Sequence, residues 1–553
     1  MALLVLTFLL WPLFQGTLGS DEMGSHPLVE TKYGKLQGKM LTVKETNRTV
    51  HAFYGVPFAK PPVGSLRFAA PETPESWISQ REAQEHAPLC LQSHHTLKQM
   101  TSFFEVPLQL PRLSEDCLYL NIFTPAEREK DSKLPVMVFI HGGGLRFGGA
   151  GMFEGSALSA FENVVVVSIQ YRLGFLGFFS TGDEEAPGNY GFMDQVAALK
   201  WIQENIMNFG GDSNLVTIFG ESAGGISVSV LMMSPMARGL FHRAIAESGV
   251  ALIPDLMADN TKDFSFIKKT VSNISACDQI VLIDCLREKT EDEISLISGS
   301  LSKIFFPGRI DGKFLPKPAV QLLTEKAVAP VPFIIGVNNH EFGYVLPMTF
   351  NITGLKEGLP RDHVQHILMS KRLLGVQQEI IALVMDQYFG NTTDPFKIRD
   401  NFLDLCGDYM FVIPALSTAN YHRDSGAPVY FYEFQHRPSL FKDLKPNYVK
   451  ADHADEIFFV VGGPFLDKGI MFSGPDTEEE KNLSKAVMKY WANFARKGDP
   501  NGPGLVQWPQ YDQYKGYLQI NVNPSPGYGL KAEEYEFWTK TLHQKILTLS
   551  QKN

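Results

Sequence analysis

Residues 215–233 constrain the fold of this chain more tightly than any other segment. Leu215-Val216-Thr217-Ile218-Phe219 is largely apolar and β-branched, as a short buried strand requires. Gly220-Glu221-Ser222-Ala223-Gly224-Gly225 follows, and then 226–233, mainly apolar, reads as a buried helix. A strand that turns at once into a helix crowds the backbone around the turn. Glycines at 220 and 224 are therefore expected where a Cβ would collide with neighbouring chain. Held at the apex, Oγ of Ser222 should project away from the sheet, with the positive end of a helix behind it. This setting predicts acyl-transfer chemistry at Ser222.

The rest of the chain repeats the strand-and-helix rhythm. Short strands with turns are expected at 28–37, 50–54 and 119–123. Apolar runs follow at 135–140, 164–171, 216–219, 244–246, 332–337 and 428–434. Most of these are continuous rather than alternating, as in central strands covered on both faces. Helical spacing appears at 193–205, after Ser222, and at 530–549. Alternation of this kind implies an α/β fold with a large, mostly parallel sheet, and ligands then bind at the carboxyl ends of its strands. No repeat or linker divides the chain, so residues 20–553 are read as one catalytic domain with long insertions.

Hydrophobic residues make up 44% of the 553, enough for a sizeable core, and the formal net charge is −10. With no basic cluster to offset that charge, nucleic acid is excluded as a partner. Residues 1–19 are apolar and end in small residues, which reads as a signal peptide cut after Gly19. No later apolar stretch is expected to cross a membrane. Asn47, Asn273, Asn351, Asn391 and Asn482 each begin an Asn-x-Ser/Thr acceptor pattern, in keeping with a secretory route. Cys90 and Cys117 flank a long loop and Cys277 and Cys285 a short one, and the cysteine usage suits an oxidising compartment. Cys406 is left over and is read as a buried free thiol. No metal-ligand pattern or cofactor motif stands out.

A serine hydroxyl needs a base, and the base needs an acid to hold its tautomer. Glu341 is the first acid after the run 332–337. Six histidines follow it. His363, His366, His422 and His543 lie in helical segments, whereas His436 and His453 both follow the strand at 428–434, and local reading leaves these two open. His141-Gly142-Gly143-Gly144 follows another strand. Two of its backbone N–H groups, with that of Ala223, would bind an oxyanion.

Longer motifs point to a family. Gly220-Glu221-Ser222-Ala223-Gly224, preceded by Phe209-Gly210-Gly211, resembles one signature of the type-B carboxylesterases. Glu115-Asp116-Cys117-Leu118-Tyr119-Leu120-Asn121 resembles the other. Phe53-Tyr54-Gly55-Val56-Pro57-Phe58-Ala59 and Gly188-Asn189-Tyr190-Gly191 extend the resemblance over the mature chain. Lys489-Tyr490-Trp491-Ala492-Asn493-Phe494-Ala495-Arg496 is similar to a run in the mammalian carboxylesterase 2 group.

The resemblance implies an α/β-hydrolase fold and hydrolysis of small-molecule carboxylic esters without a cofactor. Ser222 would be the nucleophile, Glu341 the acid and His453 the base, with Gly143, Gly144 and Ala223 as oxyanion donors. Cys90–Cys117 and Cys277–Cys285 would be disulfides. By analogy, substrates would have a small acyl and a bulky alcohol part. A neutral imidazole base should give an activity limb near pH ~6.5. Ala454 stands where the family usually has Gly. The 90–117 loop has no Trp, its only aromatics being Phe103 and Phe104, which sets choline specificity aside. The last five residues carry no His-x-Glu-Leu type retrieval signal, which favours secretion over retention in the endoplasmic reticulum. Oligomeric state is not readable.

Overall fold

Val165-Val166-Val167-Ser168-Ile169 shows why a sheet dominates: each residue is buried, and Val165, Val167 and Ile169 enter one hydrophobic cluster while Val166 enters the opposite one. The same holds next door, where Val136, Val138 and Ile140 face one layer and Met137 and Phe139 the other. A computed structural model describes residues 26–550 apart from 102–111, 130, 259–263, 372, 375–377, 468–472 and 475. The segment 1–19 and the pair Phe103 and Phe104 lie outside the described residues.

Eleven strands form the main sheet. They are β1 (Lys39–Thr42), β2 (Thr49–Pro57), β3 (Tyr119–Pro125), β4 (Leu134–Ile140), β5 (Val165–Ile169), β6 (Gly211–Glu221), β7 (Arg243–Glu247), β8 (Phe333–Asn338), β9 (Val429–Phe434), β10 (Gly516–Ile520) and β11 (Ser525–Tyr528). Their order across the sheet is β11-β10-β9-β8-β7-β6-β4-β5-β3-β2-β1. The run from β10 through β5 is parallel, and the margins β10–β11, β5–β3, β3–β2 and β2–β1 are antiparallel. The sheet is thus mixed, with a parallel centre. The short strands expected over 28–37 form a hairpin outside this sheet, Leu28–Thr31 paired with Gly34–Gln37, and Arg81–Glu82 adds a third strand beside it.

Five helices matter for the site: α1 (Tyr190–Asn205), α2 (Ala223–Met233), α3 (Pro395–Gly407), α4 (Ile413–Asp424) and α5 (Glu478–Lys497). α5 begins with a capping box between Thr477 and Glu480 and stops at Gly498, whose φ of 76° ends the helix. The C-terminal segment is interrupted by a π-turn, Phe537–Thr541, rather than being one helix over 530–549. A third hydrophobic cluster, including Phe342, Phe402 and Phe537, supports the helical insertion between β8 and β9.

One expectation needs correction. The continuous stretch Pro395–Asp424 is long and apolar enough, by composition, to cross a bilayer. In sequence it reads as two shorter segments, which the intervening π-turn joins into a single run in the fold. Its apolar window is 78% buried inside the fold, as in a core helix of a globular protein.

Candidate active site

The sharp turn after β6 holds Ser222 at φ 56° and ψ −121°, a backbone state that L-residues rarely adopt. The turn persists because its surroundings fix it. Ser222 N–H donates to the Glu247 carbonyl at 2.8 Å, and the Ser222 carbonyl accepts from Ile226 N–H at 2.9 Å as α2 begins. A Cβ on Gly220 would lie 2.4 Å from the Ile140 carbonyl oxygen and one on Gly224 only 1.9 Å from it. The glycine requirement read from the sequence is therefore steric, set by the end of β4.

That strand runs straight into the glycine loop. Gly143 and Gly144 have φ of 97° and 61°, and a Cβ on Gly142 would sit 3.2 Å from Ser222 Cβ. His141 is buried, stacked on Tyr171 with ring centroids 4.3 Å apart. Gly143, Gly144, Ser222, Ala223 and His453 line one cavity of about 680 Å³.

Glu341 follows β8 and His453 lies between β9 and α5, so all parts of the site collect at the carboxyl ends of parallel strands. His453 Nδ1 is 2.7 Å from Glu341 Oε2, and Glu341 Oε1 accepts the Asn338 backbone N–H at 2.7 Å. The loops bearing the acid and the imidazole are stitched together. His340 and Asp452 form a parallel bridge, Asn338 Nδ2 donates to the Asp452 carbonyl at 2.7 Å, and Asp452 accepts N–H groups from Tyr344 and Val345. Lys445, itself buried, bridges Asp452 and Asp455 at 3.1 and 2.5 Å. Ala454 follows the imidazole with φ 69°, the left-handed region a glycine enters freely.

The opposite face of the imidazole meets a residue that sequence reading passed over. His453 Nε2 lies 3.1 Å from Glu221 Oε1, yet neither atom has a hydrogen-bond partner among the described residues. Burial alone would lower the His453 pKa, but Glu221 and Glu341 outweigh it and raise it to about 9. The two carboxylates therefore favour the charged imidazole more than water does for a free one, whose usual value is ~6.5. Burial in turn pushes Glu221 up to about 7 and Glu247 to about 8. Glu456 is raised well above the carboxylate range, first by burial and then by its acidic neighbours. Trp491 on α5 donates to Glu247 Oε1 at 3.1 Å, and Asn338 Nδ2 to Glu456 Oε2 at 2.5 Å. One imidazole thus sits in a pool of four buried carboxyls. Glu221 was visible as the acid beside the serine, but its chain position alone gives no reason to face His453.

The other candidates separate cleanly. His436 turns to Glu480 on α5, with Nε2 3.0 Å from Oε1, and packs on Phe459. His363, His366 and His543 are exposed, and His422 is buried with Nε2 2.8 Å from the Val331 carbonyl oxygen. Cys90–Cys117 and Cys277–Cys285 are bonded, and Cys406 is a free, buried thiol whose pKa burial drives up. All five Asn acceptors are exposed. No cluster of metal-ligating side chains occurs among the described residues. Between α3 and α4 the π-turn Asp408–Val412 brings Met410 and Phe411 to the cavity wall, the Phe411 ring centroid lying 4.7 Å from that of His453.

Comparison with known proteins identifies the family. The family model described as "Carboxylesterase family" matches residues 25–538. The chain is 49% identical over 533 residues to "Acylcarnitine hydrolase" of Mus musculus, covering 96% of this chain and 94% of the relative. It is 48% identical to "Pyrethroid hydrolase Ces2e" of Rattus norvegicus, covering 97% and 93%. It is also 48% identical to "Cocaine esterase" of Homo sapiens, covering 96% and 94%. The resemblance to the carboxylesterase 2 group drawn from short motifs extends along the chain. The chain belongs to the carboxylesterase family and is a carboxylic ester hydrolase.

Proposed function

We propose that this chain hydrolyses carboxylic esters through an acyl-enzyme on Ser222. His453 takes the serine proton at Nε2 as Oγ attacks the ester carbonyl, and Glu341 stabilises the imidazolium through Nδ1. The N–H groups of Gly143, Gly144 and Ala223 hold the oxyanion. His453 then gives its proton to the departing alcohol, and water repeats the cycle to release the acid.

One observation carries this reading. A buried imidazole is held at Nδ1 by a carboxylate 2.7 Å away, with Glu221 Oε1 3.1 Å from its Nε2, on the same cavity as a strained serine elbow. A cavity of about 680 Å³ with apolar walls from Ile253, Leu346, Phe350 and Met410 supports broad specificity. Met410 adds an adaptable wall. The varied esters in the relatives' names support the same breadth. Rapid mixing with a chromogenic aryl ester tests the cycle. A burst of alcohol equal to the enzyme concentration is expected when deacylation is slower, and trapping with mass spectrometry should place the acyl group on Ser222. An acyl group found elsewhere would sink the scheme.

The same proposal extends to the compartment. The five exposed Asn acceptors and two disulfides support passage through the secretory pathway as a glycosylated, secreted enzyme, with 1–19 as the signal peptide.

A further inference from the structure

The cavity wall carries a charge for which ester hydrolysis has no use. Arg146 stands two residues beyond Gly144, in a turn where the Gly143 carbonyl accepts the N–H groups of Arg146 and Phe147 at 3.0 and 3.2 Å. It lines the cavity that holds Ser222 and also a small cleft beside Gln92, Thr96 and Ser302. The residue is half-buried. Burial lowers its basicity, and no nearby carboxylate offsets that effect. Other arginines drawn into the fold find acceptors: Arg67 pairs with Glu115 at 2.6 Å, Arg172 with Asp194 at 2.7 Å and Arg399 with Asp400 at 2.7 Å, while Arg128 and Arg243 donate to carbonyl oxygens. Among the described residues the Arg146 guanidinium has neither an ion pair nor a hydrogen bond.

Of the other charged groups on this wall, Lys445 is held by Asp452 and Asp455, and Glu221 faces His453. Asp255 and Lys303 are exposed, and neither has an ion-pair partner among the described residues. Removing a guanidinium from water without a partner is unfavourable, so its planar fork of donors is available to an acceptor that enters with the substrate. A single half-buried cation balances a single charge, which suits a carboxylate better than a phosphate dianion.

We propose that Arg146 forms an anion subsite that favours esters bearing a carboxylate away from the scissile bond. This rests on the esterase reading above and names a class of substrate for the same cavity.

Two matched pairs of esters test it, one on each side of the scissile bond. The first is 4-carboxyphenyl acetate against 4-carbamoylphenyl acetate. The second is the 4-nitrophenyl half-ester of suberic acid against its terminal carboxamide. The readout is the ratio of kcat/KM for the carboxylate to that for the carboxamide. In Arg146→Met the ratio is expected to fall about tenfold or more in at least one pair, since hydrogen bonds to charged groups have that strength. Arg146→Lys should lose less. A ratio unchanged by Arg146→Met in both pairs overturns the subsite, whatever happens to the overall rate. Should that variant not fold, ionic strength raised from about 0.05 to about 0.5 M serves instead. It must raise KM for the carboxylate member of one pair relative to its carboxamide, and equal effects in both pairs overturn the proposal. Turnover of the carboxamides by the unaltered chain reports on the esterase reading separately.

Discussion

Replacing Glu341 by Gln tests how the acid works, because its two oxygens are held by different groups. Oε1 accepts the Asn338 N–H at 2.7 Å and Oε2 faces His453 Nδ1 at 2.7 Å. A glutamine must choose between them. With its carbonyl on Asn338, its NH2 meets Nδ1, which must then accept, so the imidazole proton moves to Nε2 and His453 can no longer take the Ser222 proton. With the amide turned over, NH2 opposes the Asn338 N–H and leaves buried donors unsatisfied, at a cost of about 1–3 kcal/mol. That alone keeps the productive tautomer to roughly a tenth to a hundredth of molecules. The charge that steadies the imidazolium is also lost. Together the two effects predict a fall in kcat of about 10³–10⁵ for Glu341→Gln. The assay is steady-state hydrolysis of 4-nitrophenyl acetate alongside a thermal melt. A loss below tenfold in a folded variant would refute the assignment of Glu341.

Three further outcomes follow from the same geometry. Glu221→Gln removes a negative charge 3.1 Å from His453 Nε2. Two charges at that distance interact by about 1.3 kcal/mol in water and about 5 kcal/mol at an effective dielectric of about 20. The His453 pKa, about 9 in the unaltered chain, should therefore fall by about 1–4 units. Because the base acts when neutral, the rising limb of kcat/KM against pH moves down with it, and a limb that stays in place or rises would count against the assignment. Ala454→Gly relieves an L-residue at φ 69°, a state that costs about 1–2 kcal/mol. Part of that is lost to the freer unfolded chain, so a net gain of up to about 1 kcal/mol is expected in denaturant titration, and a clear loss would contradict the strain. The burst described above should appear at one equivalent of alcohol per chain, and its absence with a slow-deacylating acyl group would speak against the acyl-enzyme.

The sheet was largely legible because its strands are apolar on both faces. Val165–Ile169 and Phe333–Asn338 lie within one residue or two of where their runs place them. Gly516–Ile520 and Ser525–Tyr528 were not seen, since Gly516 and Gln519 in the first and Ser525, Pro526 and Gly527 in the second leave no continuous apolar run. Within the site, Ser222 announces itself through local chain geometry. Glu341 and His453 are 112 positions apart, and only tertiary pairing brings them together. Residue spacing left His436 and His453 equal, and the family motif separated them. Contacts that depend wholly on packing stayed hidden, among them Glu221 against His453, Lys445 between Asp452 and Asp455, and the π-turn that delivers Phe411.

The central claim is that Ser222 is the nucleophile, and a fluorophosphonate probe addresses it without assuming a substrate. One probe per chain should be incorporated, peptide mapping should find it on Ser222, and Ser222→Ala should take up none. Labelling of a different serine, or full labelling of Ser222→Ala, would contradict the account.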